Sequence, residues 1–558
     1  MRRQRKGLKV LALLLGLTLV MAACGDDDGG GSATDTTAPA GDEGGELIDL
    51  GTFSSAPPPH IDPHLNSELD GGQVTNALYD GLTEIDFSDP ENPVTKGLVA
   101  DSFEPNADAT VWTFKIKEGQ QFDNGEAIVP SSFVRGWERA TEPDFAGDYS
   151  YLYNFVQGGA EKLAGTAETL AGVKADDAAM TLEVTLAAPY SNFDVVAGFY
   201  TFAPMPKAVD ELTDQKQWEA GVMIGNGPFK MEKPRTDQEI VLVRNDKWAG
   251  DIFGNKRAKL DKITFVISQD QDSAYTAFED GEGDTATTPS GRVKESDENY
   301  ASTISTKIIG SSHYNFDMAD PVVGGEKGKL LRQAISLAIN REDINRAAYD
   351  DVRQISTGVT PPGIPGHKAD LCDYCAYDKA AAQKAFDDWK AAGNSLASPI
   401  QIQFNTDAGN EPVVAIIVDN LKAIGIDAQS VSIPSDNYFD QMRDGACQFC
   451  RAGWYADYPT YDNFMYDLFG KESIGGNNLG PYDNPEFDRI LAEAKAETDK
   501  DNAFKLFQDS EELLVNTDIG VVPLLWYVGD YVYNPEKVTN FPQTPLGFVL
   551  YEQVTVKS

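Results

Sequence analysis

The run Val111-Trp112-Thr113-Phe114-Lys115-Ile116-Lys117 alternates apolar and polar side chains, the period of a half-buried strand. Phe122-Asp123-Asn124-Gly125 follows as a turn carrying the Asn-Gly pair favoured in hairpins. Residues 47–53, 181–186 and 400–405 predict further strands, as do 229–231, 239–244 and 263–268 after the Gly225-Asn226-Gly227-Pro228 turn. Helical periods lie between them. Residues 73–79 read as a helix, and residues 131–140 as another, capped by Ser131 or Ser132. Leu331, Ile335, Ala338 and Ile339 form one face of a helix that Asn340 and Arg341 begin to close. Residues 380–392 and 412–424 are helices flanking the 400–405 strand, 464–469 is a short helix, and 484–516 is a long one. Residues 521–528 are apolar throughout and predict a buried strand. Helix and strand mix along the whole chain without a repeat of 20–50 residues, which argues for α/β lobes.

The first residues set the compartment. Arg2, Arg3, Arg5, Lys6 and Lys9 precede an apolar run over residues 10–20 and then Met21-Ala22-Ala23-Cys24. A positive segment, a short apolar core and small residues before a cut are the layout of an export signal, and the run is too short to span a bilayer comfortably. Cys24 directly after Ala-Ala resembles a bacterial lipobox, with Met21 where Leu is more usual. That resemblance implies cleavage before Cys24 and acylation of its thiol and new amino group. The Gly-, Asp-, Ser-, Thr- and Pro-rich residues after it cannot form a core and read as a flexible tether.

Composition then limits the partners. The 558 residues are 41% hydrophobic, enough for a large core and more than one domain. Formal net charge is -42, and losing the five basic signal residues takes the mature chain to -47. So acidic a surface disfavours nucleic acid and anionic lipid.

One nine-residue stretch concentrates chemistry. Arg451-Ala452-Gly453-Trp454-Tyr455-Ala456-Asp457-Tyr458-Pro459 holds two opposite charges and three aromatic rings. On a strand, Arg451 and Asp457 project from one face, and Pro459 ends the ladder. A buried carboxylate and guanidinium too far apart to satisfy each other need outside partners, which a zwitterion such as a short peptide would supply. Solvated or otherwise paired charges at a strand end are the alternative. Just upstream, Cys447 and Cys450 form a C-x-x-C pair, as do Cys372 and Cys375. In an exported protein such pairs favour disulfides over zinc or redox chemistry, with three pairings open. If residues 447–450 were a strand, positions three apart would face opposite ways, so cross-links between the two pairs would be favoured.

Catalytic signatures are missing. His60, His64, His313 and His367 make no H-E-x-x-H, and His60 and His64 flank Pro63 in a turn as surface or packing residues. There is no G-x-S-x-G, P-loop or G-x-G-x-x-G, so the chain reads as a non-enzyme with no cofactor and no metal.

Several stretches, in order, carry a family resemblance: Asp62-Pro63-His64, Leu78-Tyr79-Asp80-Gly81-Leu82, residues 111–125 with Phe133, Leu182-Glu183-Val184-Thr185-Leu186, residues 225–229, 331–341 and 451–458. Together they resemble the large solute-binding proteins of peptide ABC importers, the oligopeptide-binding family, over nearly all the mature chain. The resemblance implies a bilobal periplasmic-binding-protein-like α/β fold with a hinge and an extra domain. Its implied division is a signal peptide at 1–23, lipidated Cys24 and tether at 24–46, lobe I at 47–80, 204–305 and 525–558, extra domain II at 81–203, and lobe III at 306–524. It also implies that Asp457 meets the peptide α-ammonium and that Arg451 receives the C-terminal carboxylate for certain lengths. Trp454 and Tyr455 lie between, Tyr149 or Tyr151 reaches in from the extra domain, and Ser67 and Asn315 complete the implied ligand-binding set. Ser67, with Glu68 adjacent, stands where the family has a glutamate, and Asp436 where some members have a tryptophan, which leaves side-chain preference open. The implied partners are a short peptide and ABC permease subunits with cytoplasmic ATPases. The protein is then a monomer touching the membrane through its lipid anchor alone, on the outer face of the cell membrane. The same fold holding a nickel complex or an oligosaccharide, or an extracytoplasmic hydrolase or thiol–disulfide enzyme, are the other readings.

Overall fold

The alternating run at Val111–Ile116 becomes the inner strand of a four-stranded antiparallel sheet, between Ala100–Pro105 and Thr181–Thr185, with Val173–Asp176 at the far edge. Its inward side chains Trp112, Phe114 and Ile116 pack with Phe133 and Trp137 of the helix Pro130–Ala140 into one core. The computed structural model describes residues 44–557 except 55, 91, 146, 290, 301, 407 and 408, so the export signal, Cys24 and most of the tether lie outside the described residues. The first strand, Glu46–Asp49, begins one residue inside the segment read as tether.

A second, eleven-stranded sheet runs through the rest of the molecule. Its middle is the antiparallel pair Thr303–Phe316 and Val521–Tyr533. On one side follow Phe449–Tyr455, Ile400–Asn405 and Ala428–Ile433; on the other follow Thr285–Thr287, Glu46–Asp49, Lys262–Val266, Glu239–Arg244 and Phe229–Met231, and the short Gln354–Ile355 pairs with Val521–Tyr533 off this path. The two long strands serve two cores. Ile304, Tyr531 and Tyr533 pack against a core containing Leu47, Phe53, Leu78, Ile240, Leu242, Ile263, Phe265 and Val538. Tyr314, Phe316, Val522 and Leu525 belong to another core with Leu331, Ile335, Phe386, Ile402, Val414, Ile417 and Phe449. Between them the register slips: Lys307 pairs with Val528 but Ser311 with Trp526, so the first strand carries two extra residues where the sheet passes from one core to the other.

Three details of the helices differ from expectation. The long helix over 484–516 is two, Pro485–Ala496 and Lys500–Glu512, because Asp499 accepts from the Asn502 N–H and starts a new helix. Folding back lets Phe487 and Leu491 share a core with Phe507. Asn340 does not close a helix. It follows Gly325–Ala338 and caps the next one, Arg341–Tyr349, by accepting from the Asp343 N–H. Neither Ser131 nor Ser132 is the cap of Pro130–Ala140. Val129 holds that place, and its N–H donates to Ser132 Oγ inside the first turn.

The disulfides are local, Cys372–Cys375 and Cys447–Cys450, rather than cross-links between the pairs. The strand begins only at Phe449, and Cys447 sits on the turn that follows the left-handed Gly445. Leaving the strand early brings the Cα atoms of Cys447 and Cys450 within 5.3 Å, inside bridging range.

Candidate functional site

The strand Phe449–Tyr455 fixes the directions of the singled-out stretch. Arg451, Gly453 and Tyr455 share one face; Trp454 points to the other and donates its Nε1–H to Asn463 Oδ1 at 3.0 Å. Asn315 pairs with Cys450 in register, whereas Tyr314 pairs with Arg451. Asn315 is therefore buried on the face away from Arg451, and the structure does not bring it to the other candidates. The strand stops at Tyr455, four residues before Pro459, so Asp457 is placed by its loop and not by strand alternation.

Asp457 is 8% exposed and has no ion-pair partner among the described residues. Three hydrogen bonds hold its carboxylate and backbone. Tyr149, packed against the core of the four-stranded sheet, donates to Oδ1 at 2.5 Å, Asn463 Nδ2 donates to Oδ2 at 3.0 Å, and the Asp457 N–H donates to Asn463 Oδ1. Burial pushes the carboxyl up to about 6, and the hydrogen bonds from Tyr149 and Asn463 pull it back part of the way. Asn463 also donates to Asp467, whose acid is held well above the carboxylate range by burial and by the neighbouring Asp462 and Asp457. Ser67 is brought to the same end: its carbonyl accepts from Tyr149 and its Oγ donates to Asp148 at 2.9 Å. Tyr151 lies beside Tyr149, ring centroids 6.5 Å apart, with a buried hydroxyl that has no hydrogen-bond partner among the described residues.

Arg451 defines a second end. Its Nη2 donates to the Tyr527 hydroxyl at 3.3 Å, its Nε is buried without a partner, and among the described residues no carboxylate pairs with it. Gly453 is needed there, since a Cβ would meet the Tyr527 hydroxyl oxygen at 2.1 Å. Tyr455 stacks on Tyr527, ring centroids 4.6 Å apart, and is 45% exposed. The Arg353 guanidinium lies over the rings of Tyr349 and Tyr527 at 3.7 and 4.8 Å, a second cation without an acid partner among the described residues.

Tyr455 faces open space that is nonetheless surrounded by protein. Burial lifts its phenol to about 12, helped by Tyr527 and by Asp70, which comes from the helix Leu69–Leu78 in the other core. Asp70 is likewise open to solvent, yet its acid is raised to about 7, first by the surrounding protein mass and then by Glu68 and Asp49. Groups that water reaches but protein encloses line a cleft, here between the two halves of the large sheet.

Sequence reasoning missed Asn463, Tyr527 and Arg353. Asn463, six residues past Asp457, was within reach as a buried polar side chain on a helix. Nothing local marks Tyr527 or Arg353, because only the sheet brings them to Arg451.

Two cores joined by shared long strands, a separate four-stranded antiparallel sheet with its own core, and a cleft lined by charges without counter-ions among the described residues define a two-lobed α/β binding protein. The chain belongs to the bacterial extracellular solute-binding proteins, family 5, whose middle region matches residues 95–476. It is 25% identical over 549 residues to the oligopeptide-binding protein OppA of Bacillus subtilis, covering 95% of each chain. Identity to the periplasmic oligopeptide-binding protein OppA of Escherichia coli is 26% over 488 residues, covering 85% of this chain and 86% of that one. The structure of Haemophilus influenzae OppA in complex with RPPGFSPFR superposes with a TM-score of 0.74 at 23% identity, over 92% of this chain and 99% of that chain.

Proposed function

We propose that this protein is the substrate-binding component of an ABC importer, holding short peptides in extended form between its lobes and passing them to permease subunits. The observation that carries the reading is the pair of unpaired opposite charges, Asp457 at one end of the site and Arg451 at the other. A peptide is a zwitterion whose two termini lose their water on binding, so each needs a charge-assisted partner. Asp457 takes the α-ammonium and Arg451 the carboxylate, with Arg353 as a second cation beside it. Tyr149, Tyr151 and Ser67 border the ammonium end, Tyr455 offers a ring along the chain, and Trp454 holds Asn463. The peptide names of the relatives support the same ligand class.

The division into lobe I, extra domain II and lobe III at the boundaries given above is part of the proposal, supported by three separate hydrophobic cores. The register slip between Lys307 and Ser311 is its hinge. Acylation of Cys24 tethers the protein, as a monomer, to the outer face of the cell membrane.

Native mass spectrometry of the protein from Gly25 onward, purified without refolding, tests the ligand class. A ladder of co-purifying masses fitting two- to six-residue peptides is the expected result. A sugar or metal adduct in its place would overturn it.

A further inference from the structure

An apolar cavity of about 150 Å³ runs from Asp457 toward the strand Thr83–Asp86, which forms a hairpin with Val94–Gly97, and its charged lining is acidic. Asp80, Glu84, Asp251, Asp457 and Glu552 all line it, and no lysine, arginine or histidine does. Rings complete the wall, among them Phe87, Trp248 and Phe548.

The acids accept hydrogen bonds from neutral groups, Asp251 from Asn255 and Glu552 from Gln553, and among the described residues no cation pairs with any of them. Asp80 is 8% exposed and held rigidly: its backbone N–H donates to Asn226 Oδ1, its carbonyl accepts from Asn226 Nδ2, and Trp248 Nε1 donates to Oδ2 at 2.8 Å. That indole is a neutral donor, and no cation reaches the carboxylate among the described residues. Lys117, the cation whose field touches Asp80, gives its hydrogen bonds to the carbonyls of Gly97 and Leu98 instead. Lys96, opposite Glu84 in the hairpin register, pairs with Asp86. Burial raises the acids of Asp80 to about 8 and Glu552 to about 7, and lifts Glu84 well above its usual range, with Glu552, Asp80 and Asp251 adding repulsion there. Burial thus favours the neutral acids in the empty cavity, and a cation on an apolar stem enclosed among them and the rings would draw them into the ionised form.

We propose that this cavity is a specificity pocket for a cationic side chain, of lysine or arginine type, on the first residue of a bound peptide. The proposal rests on the assignment of the peptide ammonium to Asp457, the residue that belongs both to that end of the site and to the cavity lining.

The test is titration calorimetry on the full mature chain with Ala-Ala-Ala, Lys-Ala-Ala and norleucine-Ala-Ala, whose apolar stem matches lysine. Lys-Ala-Ala should bind at least ~10-fold more tightly than the norleucine peptide, each factor of ten being about 1.4 kcal/mol. The doubly isosteric variant Glu84→Gln/Glu552→Gln should close that gap while leaving Ala-Ala-Ala affinity within about twofold, which also reports that the protein is folded. Equal affinities for the two stems in the wild type, or a gap that survives in the variant, overturns the pocket. Binding of 1,5-diaminopentane to the Ala-Ala-Ala complex, with no preference for Lys-Ala-Ala, overturns the side-chain assignment in favour of a free amine. If Ala-Ala-Ala itself does not bind, it is the peptide reading that has failed.

Discussion

Tyr149 donates its hydroxyl hydrogen to Asp457 across a chain separation of 308 residues, joining the core of the four-stranded sheet to the loop after the Phe449–Tyr455 strand. The contact poises the carboxylate as an acceptor and leaves it without a positive partner. The same interface is closed a second time by Tyr190, which donates to Asp462 at 2.6 Å. Between them these bonds explain how a buried acid is tolerated before any ligand arrives.

Replacing Asp457 by Asn keeps the shape and removes the charge. Affinity for Ala-Ala-Ala should fall by ~2–5 kcal/mol with an unchanged circular dichroism spectrum. Unchanged affinity in calorimetry would sink the assignment of Asp457 to the ammonium.

The pH dependence follows from the raised acid of Asp457, about 6 in the fold against an ordinary 3.8. A raised value means that the folded, empty protein holds this proton more tightly than the unfolded chain. The stability that protonation contributes is complete below about 4 and lost as pH rises through about 6. A peptide ammonium has the opposite preference, because it needs the anion. Thermal stabilisation by Ala-Ala-Ala should therefore shrink between pH 7 and 5 in the wild type. Against Asp457→Asn it should be small and flat, and an identical slope in both proteins would assign the titration elsewhere.

At the other end, amidating the peptide C-terminus removes the charge that Arg451 is proposed to meet. The wild type should lose ~2–5 kcal/mol of affinity for the amidated peptide, and Arg451→Met should lose nothing further on amidation. If both proteins pay the same penalty, another group receives the carboxylate, and Arg353→Met is the next variant to measure.

Asp62 and Arg139 form an ion pair with side chains 0% and 3% exposed, and His64 lies against Arg139 with its imidazole pushed down to about 3 by burial and by that cation. Arg139→Met leaves Asp62 buried and unpaired and should cost ~3–5 kcal/mol in urea denaturation. Adding Asp62→Leu should recover much of the loss, whereas no recovery would show that Arg139 acts mainly through Gln215, to which it also donates.

Each disulfide closes a loop between residues three apart. Chain entropy assigns so short a loop only about 2 kcal/mol. Tryptic mapping should find both bridges within single peptides, and Cys372→Ser/Cys375→Ser should leave Ala-Ala-Ala affinity unchanged. A linkage between the two pairs in the map would contradict the local pairing.

Periodicity alone determined much of this protein. Alternation over residues 111–117 and the apolar spacing from Leu331 to Ile339 name their elements because side-chain direction repeats within a few residues. The direction of Arg451 was legible for the same reason, whereas Asp457 lies past the end of the strand and was marked by the stretch's composition and by the family resemblance of short ordered stretches. Only the tertiary structure decided what those charges meet. Tyr149 reaches Asp457 from another core, Tyr527 reaches Arg451 from the next strand but one in the sheet, and Asp80, Glu84, Asp251 and Glu552 converge on one cavity from separate segments. It also decided the cysteine pairing, because one left-handed glycine delays the strand past Cys447. Burial and counter-ion loss depend on the sum of all distant neighbours, and no local pattern encodes that sum.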